Sequence, residues 1–167
     1  MKFEELEAHI PRLRRYALAL MRDRVEADDL VQDTLERALR KASLWRRDSD
    51  LRAWLFTIMH NVHVNRLRRE LRNVTVPELD GEIENLSVDA DQDAALEARD
   101  LTAALARLPV GLRSVVLLVG LEQLSYQEAA SVLGVPVGTV MSRLSRGRER
   151  LRALMSGEPV PHLRRVK

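Results

Sequence analysis

The sequence predicts an all-α protein made of two small helical domains joined by an acidic linker. Of its 167 residues, 46% are hydrophobic but only 4% are aromatic, and the abundant Leu, Ala, Arg and Glu favour helices. Alternating Val, Ile and Thr, the pattern of strands, is nearly absent. Residues 1–72 contain 16 Lys or Arg against 12 Asp or Glu, residues 73–100 contain 1 against 9, and residues 101–167 contain 10 against 4. Two basic blocks therefore flank an acidic stretch.

Several classes of protein are excluded by what the sequence lacks. It has no cysteine, which rules out disulfides and thiolate metal sites and fits a reducing compartment. No apolar run approaches the roughly 20 residues of a membrane span, and the first ten residues lack a signal-peptide pattern. No phosphate-binding loop or nucleophile elbow is present. We therefore expect a cytoplasmic protein without membrane insertion that is not an enzyme and needs no cofactor.

Three helical patterns precede the acidic stretch. They span about residues 3–21, 25–42 and 50–72, and Pro11 predicts a kink or a helix start inside the first. Ser49 or Asp50 is the expected N-cap of the third. The predicted inner faces are, in chain order, Leu6, Ile10, Leu13, Tyr16, Ala17 and Leu20, then Leu30, Leu35, Ala38 and Leu39, then Leu51, Trp54, Leu55, Ile58 and Val62.

Polar residues on the second and third patterns are candidates for binding. The third ends in amide and guanidinium side chains, the groups that read bases and bind phosphates: Asn61, Asn65, Arg66, Arg68 and Arg69. In the second, Asp28, Asp29 and Asp33 are placed near the helix start, where they could offset the helix dipole or contact a basic partner. His60 and His63 have i, i+3 spacing, but no further ligand is evident, so no metal site is expected.

Residues 126–150 have the pattern of a helix-turn-helix. Gly134 can adopt the positive φ that ends the first helix, and Pro136 suits the first turn of the second. Val140, Leu144 and Leu151, with the small Gly147 between them, form one apolar stripe at helical period. The opposite side carries Thr139, Ser142, Arg143, Arg146 and Arg150. Because the arginines lie on one side, DNA binding is favoured over an ordinary amphipathic hairpin with solvated charges.

Residues 73–100 contain Pro77 and Gly81 and lack helical periodicity until about Asp93, which indicates a linker. Its simplest role is a solubilising tether. Residues 156–167 are interrupted by proline, and we expect them to be a disordered tail.

Two separated segments have the motifs of a known family. The first comprises ADDLVQDTLERAL (27–39) and LRAWLFTIMHNVHVNRLRRE (51–70), and the second is LARLPVGLRSVVLLVGLEQLSYQEAASVLGVPVGTVMSRLSRGRERLR (105–152). In this order they resemble the extracytoplasmic-function group of bacterial RNA polymerase sigma factors, of the sigma-70 family. With the first helix, the resemblance covers nearly all of the chain outside the linker and tail.

The resemblance implies a division of roles. Residues 1–72 would bind the clamp helices of the largest polymerase subunit and open the −10 promoter element. Residues 101–155 would read the −35 element and contact the flap of the second-largest subunit, and the acidic linker would thread the polymerase channel. Met141 departs from the basic residue that many relatives have at this position, so contacts there would be apolar or weaker.

The resemblance also assigns residues. Polymerase binding would involve Asp28, Asp29, Val31, Gln32 and Asp33. Recognition of −10 would involve Trp45, Arg46, Arg47, Asn61, Asn65, Arg66, Arg68 and Arg69, with the pocket for an extruded base in the loop 43–50. Recognition of −35 would involve Thr139, Ser142, Arg143, Ser145, Arg146 and Arg150.

Two other functions remain open. One is a stand-alone helix-turn-helix regulator that binds duplex DNA as a dimer, although nothing in the sequence resembles a dimerisation domain. The other is a sigma-like adaptor that only sequesters a regulatory protein, which would not need the one-sided arginines or the polar cluster of residues 61–69. The sigma-factor interpretation further implies an anti-sigma partner and a free protein that is monomeric.

Overall fold

The computed structural model describes residues 2–72, here the N-terminal unit, and residues 98–157, here the C-terminal unit. Every regular element within these ranges is helical, which confirms the predicted all-α class. The predicted linker lies outside the described residues except for its last three positions. The predicted tail lies outside them except for its first two.

The N-terminal unit follows the three predicted helical patterns, with one division. Its elements are α1 (Phe3–Glu7), α2 (Ile10–Met21), α3 (Arg24–Arg40), a 3-10 turn (Ala42–Leu44) and α4 (Leu51–Arg72). Pro11 lies in the first turn of α2, where a missing N–H costs nothing, so the interruption is a helix start. Asp50 precedes α4, and its carboxylate accepts a hydrogen bond from the Arg52 amide at 2.9 Å.

Two details of α3 differ from the prediction. Asp23 caps the helix, since its carboxylate accepts a hydrogen bond from the Glu26 amide at 2.9 Å. Asp28 and Asp29 therefore lie in the second turn and are poorly placed to offset the dipole, which acts mainly within the first turn. Leu39 was expected in the inner face but is 50% exposed, because the buried stripe runs instead through Ala27, Leu30, Val31, Thr34 and Ala38.

The C-terminal unit is built around one long helix. Its elements are α5 (Ala98–Arg107), α6 (Val110–Val116), a π-helical turn (Leu117–Leu121), α7 (Tyr126–Leu133) and α8 (Val137–Ser156). α8 packs against α5, α6 and α7. A close approach occurs at Gly147, where an added Cβ would lie 2.7 Å from Cγ2 of Val116.

The two units pack against each other. Within the N-terminal unit, α3 packs against α2 and α4, and the rings of Tyr16 and Phe56 meet edge to face with centroids 5.2 Å apart. Between the units, α4 contacts α7, while α2 contacts α5, α6 and the π-helical turn. Buried apolar side chains of both units form one hydrophobic cluster. Within the described ranges, no helix is long and apolar enough to cross a bilayer.

Candidate nucleic-acid interface

The helix-turn-helix is shaped by signals within a few residues of the turn. Ser125 and Glu128 form a reciprocal capping box at the start of α7, with N–H to side-chain oxygen distances of 3.1 and 2.7 Å. Gly134 ends α7 with φ +66°, as predicted. Pro136 was expected inside the first turn of α8, but it is the N-cap residue and precedes the helix. The turn thereby fixes the direction in which α8 leaves α7.

α8 buries one side in the C-terminal unit, and its other side is exposed to solvent in whole or in part. Val140, Leu144 and Gly147 are buried, whereas Leu151 is only partly buried. Outside this stripe, Ser142 and Ser145 are exposed, and four further candidate residues are partly exposed: Thr139, Arg143, Arg146 and Arg150. Hydroxyl and guanidinium groups at the start of a helix in this setting can bond base edges and phosphates.

The candidate residues of α4 divide into two sets. Asn61, Asn65 and Arg69 are exposed, whereas Arg66 and Arg68 are partly exposed. The guanidinium of Arg66 donates to the carboxylate of Asp33 on α3 at 2.6 Å. The structure thus brings together one residue assigned to −10 recognition and one assigned to polymerase binding. Their pairing adds a partly exposed link between the last turns of α4 and the middle of α3.

The segment before α4 is compact and polar. Ser49 donates its hydroxyl hydrogen to the carbonyl of Arg46 at 2.6 Å, and the Arg46 guanidinium pairs with Asp48 at 3.2 Å. Arg46 and Arg47 are exposed, while Trp45 is partly buried. Its indole Nε1 is buried without a hydrogen-bond partner among the described residues. The two arginines are thus accessible to a phosphate backbone.

The candidate polymerase-binding residues of α3 are not all accessible. Asp28, Asp29 and Gln32 are exposed, and Asp33 is partly exposed. Val31 is only 4% exposed and belongs to the hydrophobic core, which corrects its assignment as a contact residue. Its side chain supports the acidic surface from beneath and is not available to a partner in this fold.

A cavity of about 350 Å³ lies between α4 and the C-terminal unit. Its lining includes His60, His63 and Arg68 of α4, and Arg143 of α8. Burial, reinforced by Arg143 and Arg68, lowers the pKa of His60 to about 4. Burial, reinforced by His60, lowers the pKa of His63 to about 4 as well. Neither ring nitrogen of His63 has a hydrogen-bond partner among the described residues, so both histidines are neutral near pH 7.

Three charged residues at the contact between the units escaped the sequence analysis. The Arg15 guanidinium binds the carboxylate of Glu122 at 2.9 Å, across 107 positions of sequence. Arg113 is 2% exposed and donates to four backbone carbonyls, one of them that of Leu20. No local pattern marks Arg15 or Glu122, because the fold alone brings them together. Most acceptors of Arg113 are near in sequence, but they are backbone carbonyls, which leave no pattern of residue types.

Known proteins are similar to this chain over both its N-terminal and its C-terminal unit. Residues 98–151 match the family model described as Sigma-70, region 4, and residues 6–60 match the model described as the Sigma2 domain of PhyR. The chain is 39% identical over 153 residues to the ECF RNA polymerase sigma factor EcfG of Rhodopseudomonas palustris strain TIE-1, covering 91% of this chain and 83% of the relative.

Two further proteins are similar. The ECF RNA polymerase sigma factor SigM of Mycobacterium tuberculosis is 37% identical over 155 residues, which cover 92% of this chain and 76% of the relative. Among solved structures, the sigma factor RpoE from Bartonella quintana, determined with the anti-sigma factor NepR, has a TM-score of 0.74 at 33% identity, covering 93% of this chain and 97% of that one.

Proposed function

The chain belongs to the ECF group of RNA polymerase sigma factors, and we propose that its two units read two promoter elements separately. As a sigma factor it directs core RNA polymerase to promoter DNA, and its relatives are transcription factors rather than enzymes. Each unit contributes its own surface residues to this function.

The C-terminal unit reads the −35 element through α8. The observation that supports this most directly is the capped helix-turn-helix with hydroxyl and guanidinium side chains on the accessible side of its second helix. A bidentate arginine–guanine pair discriminates against a wrong base by about 1–3 kcal/mol. Arg143 and Arg146 lie in the first half of α8, the part that enters the major groove in this motif.

The N-terminal unit opens the −10 element through α4 and the segment before it. Asn61 and Asn65 are exposed amides one turn apart, so both can reach the same single strand. Arg46, Arg47 and Arg69 are exposed cations that can hold its phosphates. Trp45 has a buried indole N–H without a partner among the described residues. An extruded base beside it would supply an acceptor and help offset the few kcal/mol that unstacking costs.

Core polymerase binds the acidic surface of α3. Asp28, Asp29 and Gln32 project from it together, and exposed carboxylates on one surface suit a basic partner. The clamp helices of the largest subunit are the proposed contact, and the flap of the second-largest subunit is the proposed contact of the C-terminal unit. The free protein is proposed to be a cytoplasmic monomer.

An anti-sigma factor is the proposed regulator. The similar sigma factor RpoE was determined in complex with the anti-sigma factor NepR. A partner of that kind would silence this chain by covering α4 or α8, because either surface is needed for a promoter to be read.

Run-off transcription with purified core polymerase tests the assignment of −35 recognition. On promoters selected from a genomic fragment library, Arg146→Ala should reduce transcription about 10-fold, as expected for the loss of about 1–3 kcal/mol. Arg152→Ala is the matched control, since it removes the same charge from an exposed position later in α8. Binding to core polymerase should be unchanged in both variants. Equal losses in the two variants, or parallel loss of polymerase binding, would contradict the assignment.

An adaptor that only sequesters a regulatory protein is the second candidate. It is favoured by the family model that residues 6–60 match, which is named for PhyR and not for a promoter-reading sigma factor. The same transcription assay separates the two, because an adaptor would bind an anti-sigma factor but initiate no transcript on any promoter in the library.

A further inference from the structure

α8 exposes one long apolar side chain beside the residues assigned to −35 recognition. Met141 is 52% exposed and lies in the first half of the helix, which spans Val137–Ser156. A single exposed apolar residue is ordinary on a protein surface. The surroundings of Met141 therefore decide whether it marks a binding site.

The side chains next to Met141 on the surface of α8 are short. Gly138 and Ser145 are three residues before it and four residues after it, so they are its neighbours on the same helix face. Ser142 follows it directly, and all of these neighbours are exposed. A Cβ added at Gly138 would meet no described atom within 4 Å. Met141 therefore projects further from the helix than the residues around it.

Met141 also lines an apolar part of a groove between α7 and α8. The groove has a volume of about 390 Å³, and Tyr126 and Leu144 line it together with Met141. Tyr126 is the first residue of α7 and is 38% exposed, whereas Leu144 is buried. The charged residues of the lining begin at Arg148, about 10 Å further along the helix at 1.5 Å per residue. The part of the groove nearest the turn is thus walled by apolar groups.

This apolar part is continuous with the surface assigned to −35 recognition. With 3.6 residues per turn, Ser142 and Ser145 lie between Met141 and Arg146 around the axis of α8. Met141 and Arg146 are therefore at two edges of one accessible face. In a helix-turn-helix, the N-terminal part of the second helix contacts base edges in the major groove. A duplex that lies against Ser142 and Ser145 is thus within reach of Met141 as well.

A thioether side chain suits one feature of the major groove. Among the four bases, thymine alone presents a methyl group there, and cytosine at the same place presents an amino group. Contact between Met141 and that methyl group would remove apolar surface of both from water, whereas a thioether accepts a hydrogen bond only weakly. Burial of one such group is worth about a fourfold change in affinity.

We propose that Met141 is a specificity-determining residue that contacts the methyl group of a thymine in the −35 element. The proposal rests on the assignment of −35 recognition to α8. It adds to the hydroxyl and guanidinium groups of that helix a contact that depends on shape and apolar surface. Promoter choice would then depend on a methyl group as well as on hydrogen bonds.

Replacement of thymine by deoxyuridine tests the proposal, because deoxyuridine lacks only the methyl group. The holoenzyme, formed from core polymerase and the full chain, is titrated against a fluorescent promoter found by run-off transcription. Each thymine of the −35 element, on either strand, is replaced in turn. One replacement should weaken binding about fourfold, and the others should leave it nearly unchanged.

Variants of exposed methionines show whether Met141 is the residue that contacts this methyl group. Met141→Ala should bind the unmodified promoter about fourfold more weakly and should lose its sensitivity to that deoxyuridine. Met141→Leu keeps an apolar side chain and should retain the sensitivity. Met155→Ala is the matched control, since Met155 is 46% exposed near the end of the same helix. It should behave as the unaltered protein does.

Three results would overturn the proposal. They are the absence of any deoxyuridine effect with the unaltered protein, an effect that persists in Met141→Ala, and equal losses in Met141→Ala and Met155→Ala. Failure of the −35 assignment itself is recognised separately, because Arg146→Ala would then bind the promoter as well as the unaltered protein does. If the assignment holds, Arg146→Ala should weaken binding and leave the deoxyuridine effect in place.

Discussion

The helices α4 and α8 are both proposed to read DNA, but the fold positions them differently. α8 is placed by neighbours in sequence, namely the capping box of Ser125 and Glu128 and the left-handed Gly134. α4 is placed by partners distant in sequence, since its buried apolar side chains pack against α3. Arg66 adds a partly exposed pair with Asp33 at 2.6 Å across 33 positions. One reading surface is thus encoded locally, and the other exists only once α3 and α4 have packed.

The units also differ in what stabilises them. The N-terminal unit is held mainly by apolar packing, with the edge-to-face pair of Tyr16 and Phe56 at its centre. The C-terminal unit contains a buried cation, because Arg113 binds the carbonyls at the end of α5 and beyond it. Burial lowers the pKa of Arg113 only to about 10, so it is charged at neutral pH.

The largest expected effect comes from removing that cation. Arg113→Met should lower the free energy of unfolding by about 3 kcal/mol or more, because it removes three buried hydrogen bonds to carbonyls and a fourth that is partly buried. Arg107→Met, at an exposed position of α5, should change it by less than about 0.5 kcal/mol. Urea unfolding followed by circular dichroism measures both. Similar small losses in the two variants would show that the C-terminal unit does not depend on Arg113.

The second largest effect should come from acid, which should lower the free energy of unfolding through two histidines of α4. His60 and His63 have a pKa of about 4 in the folded protein, against about 6.5 in an unfolded chain. Above pH 6.5 neither state takes up a proton. Below it the unfolded state is protonated first, so stability should fall progressively down to about pH 4, by about 1–2 kcal/mol per histidine at pH 5.

A substitution isolates this effect from the titration of carboxylates. The titratable groups that act on His63 are His60, Arg113 and Arg66, and none of them is a carboxylate that would favour protonation. His63→Leu should therefore reduce the loss of stability between pH 7.5 and pH 5, measured by urea unfolding. An unchanged pH dependence in His63→Leu would mean that His63 is accessible to protons in the folded protein.

The contrast between the two helices also explains which features the sequence could predict. The helix-turn-helix, the start of α2 at Pro11 and most of the inner faces could be predicted, because caps, breaks and 3.6-residue periodicity are local. Leu39 was placed on the wrong side of α3, since several apolar residues of that helix compete for one buried stripe. The periodicity alone does not decide which of them packs against α2 and α4.

The contact between the units was not predictable in the same way. Arg15 is one of several arginines on α2 and Glu122 is a lone acid after an apolar run, and neither has a local feature that sets it apart. Their pairing depends on the packing of α2 against the π-helical turn. Sequence patterns specify the helices, whereas the packing of the units arises from side chains that are far apart in the chain.

A third test asks whether the exposed acidic surface of α3 binds core polymerase. Replacing Asp28 and Asp29 with Lys should lower affinity for core polymerase about tenfold, because both carboxylates are exposed to a basic partner; the pair of Asp28 with Arg14, at 3.9 Å, is itself exposed and readily exchanged. Glu4→Lys with Glu7→Lys, two exposed acids of α1, is the control for net charge. Fluorescence anisotropy of labelled protein measures the affinity. Equal losses for both pairs would indicate attraction by overall charge alone, and no loss in either would remove Asp28 and Asp29 from the interface.

The smallest expected effect comes from filling the close contact between α8 and α6. Gly147→Ala would place a Cβ 2.7 Å from Cγ2 of Val116, whereas at Gly138 an added Cβ meets no described atom within 4 Å. Both changes gain up to about 1 kcal/mol of helix propensity, but overpacking costs typically about 1–3 kcal/mol. Gly138→Ala should therefore raise the free energy of unfolding by about 0.5 kcal/mol, and Gly147→Ala should lower it by about 1 kcal/mol. Equal stabilisation of both variants in urea unfolding would show that α6 and α8 can move apart to accept the added Cβ. The position of α8 would then be specified locally only by the turn that precedes it.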